Sequence, residues 1–366
     1  MASGMASAYP SVWLLAVGPM LSFATNLASA STAAASLRPL VCVTGASGYV
    51  ASVLVQTLKD KGYRVRGTVR NVTRYQLEPV FQDVELFAAD LVEEGSFDEA
   101  FHGCNAIFHC ASPFISKYTD PEEELIRPAV EGTLNVLRSA VKAGVPNVVV
   151  TSSTAAIGPP QFNLDKLPKD KTFSEEDWNV DSTLEHGAYR LSKRRAEEAA
   201  WNFARDHPGL RLSVINPSFV IGPPVLTRAS GVSVSTFVNM LNGEMKETGC
   251  KGSCFGAVDI RDVAEAHVRA LETPAASGKR FLVSSIEGYS QLEFADILRS
   301  SNELKGYHPG LPTHLSSPVA YRPRYNRARA EKILGIRFRP IEESVLDMAR
   351  KLVGSGMVAD PETCGN

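Results

Sequence analysis

Six short apolar segments alternate with longer amphipathic stretches in this chain from residue 39 onward. The apolar segments are residues 40–44, 63–69, 84–89, 105–111, 147–153 and 211–217, and helical stretches lie between them at 49–60, 121–143 and 184–206. Strands that alternate with helices pair in parallel through right-handed crossovers, and near-continuous apolar strands are buried on both faces. The sequence therefore predicts an α/β fold, a doubly wound parallel sheet.

The alternation loosens after about residue 220, where loops rich in glycine and proline such as "IGPPVLTRASG" begin. We therefore expect a dinucleotide-binding domain over 38–220. Residues 221–366 are expected to form a smaller substrate-binding lobe that is partly interleaved with the sheet.

Charge and cysteine spacing exclude several function classes. The 366 residues carry 38 basic and 40 acidic side chains, for a net charge of −2, and no long run of one sign offers a surface to nucleic acid. The six cysteines lack metal-site spacing and are predicted to be reduced thiols, with a disulfide or metal pair at Cys250 and Cys254 as the alternative. Neither a metal nor a nucleic acid is expected, and a small-molecule substrate is favoured.

The first predicted strand leads into "TGASGYVAS", a turn with glycines at 45 and 48. In a doubly wound sheet, ligands bind beyond the carboxyl ends of the strands. Gly45 permits a tight turn, Gly48 lets the backbone approach a pyrophosphate at the helix N-terminus, and Ala51 packs the helix against the strand. The predicted cofactor contacts here are Gly45, Ser47, Gly48, Tyr49 and Val50. The alternative is an ordinary strand-to-helix turn.

The ends of the second and third strands indicate which dinucleotide this turn holds. Arg70 and Arg74 follow the second strand, where proteins that bind NAD usually have a carboxylate, and arginine pairs with a 2′-phosphate that a carboxylate repels. These residues favour NADP(H), unless both are solvated loop charges. Asp90 and Leu91 follow the third strand and are predicted to meet the adenine, with a helix N-cap as the alternative for Asp90.

The catalytic candidates lie in "VVVTSSTAAIG" and "EHGAYRLSKRRAEEAAW". Tyr189 and Lys193 are four residues apart and share one helix face, where the cation lowers the pKa of the phenol and makes it a usable proton donor. Ser152 and Ser153 are expected to end the fifth strand, at the same sheet edge as the glycine turn. Ser153 can offer its hydroxyl to a substrate oxygen.

The ordered set of glycine turn, serine and Tyr-x-x-x-Lys resembles the extended branch of the short-chain dehydrogenase/reductase family, from about residue 39 to 353. Further stretches that carry the resemblance are "RGTVRN", "FHCASP", "INPSFVIGP", "DIRDVAEAHVRAL" and "KILGIRFRPIEES". Within the branch the chain is most similar to NADPH-dependent carbonyl reductases, which include dihydroflavonol, cinnamoyl-CoA and methylglyoxal reductases.

The resemblance implies a Rossmann fold and an NADPH-dependent reduction of an aldehyde or ketone. It makes Ser153, Tyr189 and Lys193 the catalytic triad. Tyr189 protonates the developing alkoxide, Ser153 hydrogen-bonds the same oxygen, and Lys193 holds the nicotinamide ribose. It also implies that Ala111 lines the cofactor and that Pro217 and Ser218 border the nicotinamide.

The chain departs from its relatives near the tyrosine. Cinnamoyl-CoA reductases have an "NWYCYGK"-like stretch where this chain has "HGAYRLSK", which argues against a CoA-thioester substrate. Six mostly apolar residues are pocket candidates, although such residues more often serve packing: Phe114, Ile115, His186, Phe219, Phe237 and Met240.

Two other functions stay open at this stage. One is an NAD-dependent nucleotide-sugar epimerase or dehydratase, or a 3β-hydroxysteroid dehydrogenase, of the same fold. The other is a non-catalytic dinucleotide sensor.

Residues 1–37 have no charged side chain and contain the apolar segment "VWLLAVGPMLSF", so they resemble a leader, or else a disordered extension. The segment is too short to span a bilayer comfortably. A sequon at Asn71-Val72-Thr73 falls in the loop expected to hold the cofactor phosphate, where a glycan would obstruct binding. We expect a cytoplasmic mature protein without a stable membrane span, as a monomer or a homodimer.

Overall fold

The computed structural model describes residue 1 and residues 38–113, 118–159 and 166–360. In chain order the strands are β1 (Leu40–Thr44), β2 (Arg64–Val69), β3 (Glu85–Ala88), β4 (Ala106–His109), β5 (Asn147–Thr151), β6 (Thr172–Phe173), β7 (Arg211–Pro217), β8 (Phe219–Ile221), β9 (Cys254–Phe255), β10 (Ala257–Asp259), β11 (Lys279–Val283), β12 (Tyr289–Ser290) and β13 (Arg324–Tyr325). Seven of them form one sheet in the order β11-β7-β5-β4-β1-β2-β3, and every neighbouring pair is parallel. This confirms the predicted α/β fold.

The α-helices are α1 (Tyr49–Asp60), α2 (Val72–Tyr75), α3 (Asp98–Phe101), α4 (Arg127–Lys142), α5 (Ala188–Asp206), α6 (Val232–Leu241), α7 (Ile260–Glu272), α8 (Gln291–Ser300) and α9 (Ile341–Gly354). Short 3-10 helices cover Pro79–Phe81, Thr154–Ala156, Pro274–Ala276 and Asn302–Gly310, and π-helical turns cover Glu122–Ile126 and Ala330–Leu334.

Helices cover both faces of the sheet, and strand β1 shows why its residues are all apolar or small. Val41 and Val43 point into a buried cluster that includes residues of α1 and α7. Leu40 and Cys42 point the other way, into a cluster with residues of α3, α4 and α5. Because successive side chains of a strand alternate between faces, a strand buried on both sides needs apolar side chains in both directions. The one polar residue of β1, Thr44, is buried with its hydroxyl hydrogen-bonded.

The six predicted strands all lie in the central sheet, but three end earlier than expected, the segment 84–89 by one residue at Ala88. The segment 105–111 ends as a strand at His109, and the segment 147–153 ends at Thr151. Ser152 and Ser153 therefore follow β5, and the prediction that they end this strand is wrong. The reason is local, because the Ser153 side chain caps the 3-10 turn Thr154–Ala156 by accepting from the Ala155 N–H.

The three helix predictions are confirmed, and two of the α-helices start later than expected. Helix α1 has the predicted bounds 49–60, whereas the stretch 184–206 becomes helical only at Ala188. Gly187 immediately before it has φ +88°, a left-handed conformation that breaks the helix. The stretch 121–143 begins with the π-helical turn before α4 continues to Lys142.

Residues after 220 contribute to the central sheet as well as to smaller units. Strand β11, which the sequence did not predict, pairs with β7 at one edge, and α7 packs on α1. The remaining strands make two-stranded sheets, β8 with β10, β9 with β12, and β6 with β13. The division at residue 220 stays a proposal, with β11 and α7 as the segments that return to the N-terminal part.

The described cysteines, Cys42, Cys104, Cys110, Cys250 and Cys254, are all free thiols. Burial raises the pKa of Cys104 and Cys250 to about 11 and that of Cys110 to about 12. The Cys250–Cys254 pairing considered from the sequence is thus absent from this part of the chain. Cys364, Phe114, Ile115 and residues 2–37 of the expected leader lie outside the described residues.

No helix within the described ranges combines the length and the apolar character needed to cross a membrane.

Candidate active site

The glycine turn joins β1 to α1 and lies against the segment that follows β4. Gly45 has φ +62°, and a Cβ on it would come within 2.9 Å of the Ala111 Cα. Only glycine fits both the left-handed backbone and this close approach. Gly48 has an extended backbone with φ −72° and is the N-cap of α1, so its conformation does not require glycine. Gly48 is exposed, and the open N–H groups at the start of α1 lie next to it.

The other residues of the turn have different surroundings. Ser47 and Val50 are half-buried, and Ala51 is 2% exposed and packs in the core beneath the turn. The Tyr49 hydroxyl donates to the Gly222 carbonyl at 2.5 Å, which ties the start of α1 to the loop after β8. Burial raises the pKa of Tyr49, and the Asp259 carboxylate raises it further. The Tyr49 side chain is therefore neutral, and its hydroxyl is engaged by Gly222.

Arg70 directly follows β2, and Arg74 lies in the short helix α2 after it. Both side chains are exposed, and Arg74 lies over the Tyr75 ring at 5.4 Å from its centroid. Asn71 accepts from the Arg74 N–H and caps α2, which fixes the backbone of this loop. Within the described part of the chain, neither Arg70 nor Arg74 forms an ion pair. Two guanidinium groups without a carboxylate partner suit a phosphate anion.

Asp90 and Leu91 follow β3 at the same edge. An oxygen of the Asp90 carboxylate accepts from the Val92 N–H at 3.1 Å, while the Ser96 hydroxyl donates to the Asp90 carbonyl at 2.8 Å. Asp90 thus caps a turn and not a helix, so the prediction of a helix N-cap at this residue is wrong. The Leu91 carbonyl accepts from Asn135 of α4 at 2.9 Å, which fixes the turn on the helix.

His109 forms a buried chain of hydrogen bonds that the sequence did not reveal. The Ala111 N–H donates to the Thr44 hydroxyl at 3.1 Å, and that hydroxyl contacts His109 Nδ1 at 2.9 Å. His109 Nε2 contacts the Thr133 hydroxyl at 3.4 Å. Burial and, to a smaller extent, the Lys193 charge lower the pKa of His109 to about 3, so the ring is neutral. The chain of bonds holds Ala111 against the glycine turn.

Ser153 has a hydroxyl prepared for donation. Its oxygen accepts from the Ala155 N–H at 3.1 Å, so its own proton remains for another acceptor. The Ser153 carbonyl accepts from Asn216 Nδ2 at 3.3 Å and from the Ala156 N–H at 3.0 Å. Ser153 itself is half-buried and therefore open to a ligand on one side.

Tyr189 and Lys193 lie in the first two turns of α5. Lys193 Nζ is 5.9 Å from the centroid of the Tyr189 ring and donates to the Ser112 hydroxyl at 3.0 Å. Because Ser112 follows β4, this bond brings the lysine to the carboxyl edge of the sheet, beside Ala111. Lys193 also lines a cavity of about 20 Å³ with His109 and Ser152. Helix α5 packs on the 3-10 turn that Ser153 caps, so all three predicted catalytic residues belong to one region.

Pro217 ends β7 at the same edge, and Ser218 follows it with its N–H donating to the Val283 carbonyl at 3.1 Å. Among the described residues, Asn216 Oδ1 and Ser218 Oγ are buried without a hydrogen-bond partner. An acceptor and a hydroxyl without partners, next to one proline, suit a bound polar group. With the close approach at Gly45 and the unpaired arginines, the residues present fit a dinucleotide with a 2′-phosphate.

Comparison with known proteins agrees with this arrangement. Residues 41–284 match the model of the NAD dependent epimerase/dehydratase family, a span that runs from β1 to just past β11. The chain belongs to this family.

Several relatives match over almost their whole length. A cinnamoyl-CoA reductase of Medicago truncatula is 37% identical over 331 residues, 87% of this chain and 96% of that protein. Tetraketide alpha-pyrone reductase 1 of Arabidopsis thaliana is 35% identical over 330 residues, 87% of this chain and 97% of that protein. The crystal structure of Candida albicans Gre2 in complex with NADPH superposes with a TM-score of 0.75 at 30% identity, covering 87% of this chain and 99% of that one.

The pocket candidates divide into packing residues and open ones. Phe237 and Met240 of α6 are fully buried in the core, so the packing interpretation holds for both. Phe219 is half-buried, with its ring centroid 4.6 Å from that of Phe255, and His186 is exposed before α5. Phe255 was missed from the sequence, since its two-residue strand has no pattern of its own.

Proposed function

We propose that this member of the NAD dependent epimerase/dehydratase family is an NADPH-dependent reductase of an aldehyde or ketone, with Tyr189 as proton donor. The observation that carries the proposal is the packing of α5, with Tyr189 and Lys193, on the turn that Ser153 caps, together with the bond from Lys193 to Ser112 next to Ala111. Its relatives by sequence include reductases, and the related Gre2 structure contains NADPH.

The residues divide the chemistry between them. NADPH, when bound, supplies the hydride. The Tyr189 phenol donates its proton to the oxygen on which negative charge develops. Ser153 donates a hydrogen bond to the same oxygen, since Ala155 already occupies one of its lone pairs. Lys193 stabilises the phenolate that remains and binds a ribose hydroxyl in place of Ser112.

The proposed cofactor contacts are the Gly45–Val50 turn for the pyrophosphate, Arg70 and Arg74 for the 2′-phosphate, Asp90 and Leu91 for the adenine, and Ala111, Pro217 and Ser218 for the nicotinamide side. NADP(H) is favoured over NAD because the arginines Arg70 and Arg74, and not a carboxylate, follow β2. This also speaks against an epimerase with tightly held NAD. The intact Tyr189 and Lys193 pair speaks against a non-catalytic sensor.

The substrate is proposed to be a small carbonyl compound with an aromatic or apolar substituent. Phe219 of β8 and Phe255 of β9 are half-buried, and their rings contact each other. Phe219 follows Pro217 and Ser218 directly, so the pair lies close to the proposed nicotinamide site. We also propose a cytoplasmic mature protein, as a monomer or a homodimer.

The test is a screen of NADPH oxidation, followed at 340 nm, by the protein without residues 1–37. Aldehydes, diketones, flavanonols and CoA thioesters are offered with NADPH and, in parallel, with NADH. We expect turnover of an aldehyde or ketone with NADPH. A preference for NADH, or NAD bound after purification with no reduction of any carbonyl, would contradict the proposal.

Tyr189→Phe tests the proton donor. It removes only the hydroxyl, so kcat is expected to fall by about 10²-fold or more while the Kd for NADPH, measured by fluorescence, changes by less than about threefold. Tyr63→Phe is the matched control, because Tyr63 bonds Glu272 on the surface, away from this edge. Retained turnover in Tyr189→Phe would exclude Tyr189 as the donor.

A further inference from the structure

Helix α5 carries a buried carboxylate two turns beyond the proposed proton donor. Tyr189, Lys193 and Glu197 are spaced four residues apart and so lie along one stripe of the helix. Glu197 is 1% exposed, in contrast to Glu198 next to it, whose side chain is 45% exposed. Glu197 lines the same small cavity as Lys193 and Ser152, and the proposed reaction gives it no chemical task.

Each oxygen of Glu197 serves a different side. Oε2 accepts from the Ser152 hydroxyl at 2.6 Å, from Asn216 Nδ2 at 2.8 Å and, at the longer distance of 3.4 Å, from Arg280 Nη2. Oε1 accepts from Arg280 Nε at 2.5 Å and from Trp201 Nε1 at 3.2 Å. One oxygen therefore faces the segment that carries Ser153, and the other faces the sheet edge and the body of α5.

The Oε2 side leads directly to Ser153. Ser152 is its chain neighbour, and Asn216 uses the same amide nitrogen to donate to Glu197 and to the Ser153 carbonyl. Because both hydrogen-bond partners of this nitrogen are acceptors, the amide group of Asn216 must place its nitrogen, and not its oxygen, between them. Glu197 thereby fixes the backbone on both sides of the Ser153 side chain.

Arg280 of β11 completes the arrangement. Its side chain is 7% exposed, donates to the carbonyls of Glu175 and Asp177 at 2.9 and 2.8 Å, and stacks on Trp178 at 3.8 Å from the ring centroid. A buried ion pair of this kind gives little net stability, because desolvation offsets the attraction between the charges. Its distinctive property is geometric, since the Glu197 carboxylate joins α5 to β7, to β11 and to the loop after β5.

We propose that Glu197, held by Arg280, is a positioning residue that sets the Ser153 hydroxyl against Tyr189 and Lys193. Ser153 reaches the substrate oxygen from the loop after β5, whereas Tyr189 and Lys193 act from α5. Among the described residues, Glu197 is the only acidic residue of α5 whose carboxylate accepts a hydrogen bond from the loop after β5. The inference rests on the proposed reductase function.

The test compares kcat and KM in variants of the full chain. Glu197→Gln replaces an acceptor by a donor facing Asn216 or Arg280, and we expect kcat to fall at least tenfold with the Kd for NADPH within threefold. Glu198→Gln is the matched control, the same change one residue along on the exposed face, and is expected to keep wild-type kcat.

A second pair keeps the test decisive if Glu197→Gln folds poorly, because it leaves the ion pair in place. Ser152→Ala removes a bond to Oε2, and Trp201→Phe removes a bond to Oε1. A positioning role predicts that Ser152→Ala lowers kcat severalfold while Trp201→Phe lowers only the melting temperature. Equal effects on kcat, or none from Ser152→Ala, would overturn the proposal.

Failure of the proposed function gives a different result. If the wild-type protein reduces no carbonyl, the reductase proposal fails, and a crystal structure of Glu197→Gln decides the positioning role instead. Ser153 Oγ must then shift relative to the Tyr189 hydroxyl by more than about 0.5 Å, the tolerance of a productive site. An unmoved Ser153 would refute the role.

Discussion

Gly45→Ala is expected to damage both stability and cofactor binding, because the position combines a left-handed backbone with a backbone neighbour. At φ +62°, an alanine costs about 1–2 kcal/mol relative to its usual conformations. The new Cβ would also lie 2.9 Å from Ala111 Cα, 3.0 Å from its Cβ and 3.2 Å from its nitrogen. These atoms belong to main chain and a short side chain, so no rotamer change relieves the contact, and overpacking adds about 1–3 kcal/mol.

The sum is a loss of about 2–5 kcal/mol in the free energy of unfolding. Relief of the contact requires Ala111 to move away from the turn, which breaks its bond to Thr44 and widens the cofactor groove. We therefore expect the Kd for NADPH to rise at least tenfold.

The control is Gly62→Ala. Gly62 has φ +83°, so an alanine there has a similar backbone strain, but its Cβ would meet nothing within 4 Å. Urea unfolding of both variants separates the two contributions, and NADPH fluorescence titration gives the affinities. If Gly45→Ala loses no more stability than Gly62→Ala and binds NADPH normally, the close approach to Ala111 has no energetic consequence and the reasoning is wrong.

Two further outcomes are expected. Arg70→Gln should lower the NADPH-over-NADH preference in kcat/KM by about tenfold or more, since a charge-assisted bond to phosphate is lost, whereas Arg211→Gln, at the opposite end of the sheet, should leave it unchanged. Burial lowers the pKa of His109 to about 3 and of His267 to about 4, so below pH 6.5 the unfolded chain binds protons that the native protein excludes. The free energy of unfolding is thus at its full value above about pH 6.5, and it falls with acidification by up to about 1.4 kcal/mol per pH unit for each histidine. Unfolding measured from pH 7 to 5 should show a smaller slope in His267→Gln and an unchanged slope in His102→Gln, whose residue is exposed; equal slopes in all three proteins would refute this origin.

Local signals in the sequence were sufficient for the elements that begin the cofactor site. Strand β1 and helix α1 have the predicted bounds, because an apolar run, a glycine turn and helical periodicity are all contiguous in the chain. The pairing of Tyr189 with Lys193 also needs only the spacing of one helix. By contrast, β11 was missed because no strand-helix alternation surrounds its five residues in the sequence. Its place beside β7 depends on distant parts of the chain.

The sequence by itself determined the six predicted strands and the helices between them, the conformational demand at Gly45 and the choice of candidate catalytic residues, since periodicity and side-chain chemistry are local properties. The tertiary structure decided how those residues are held. Glu197 meets Ser152 and Arg280 across 45 and 83 residues of chain, and His109 meets Thr44 across 65. Such pairs depend on which strands become neighbours and on which polar groups burial leaves in need of a partner, and neither is a property of any short segment.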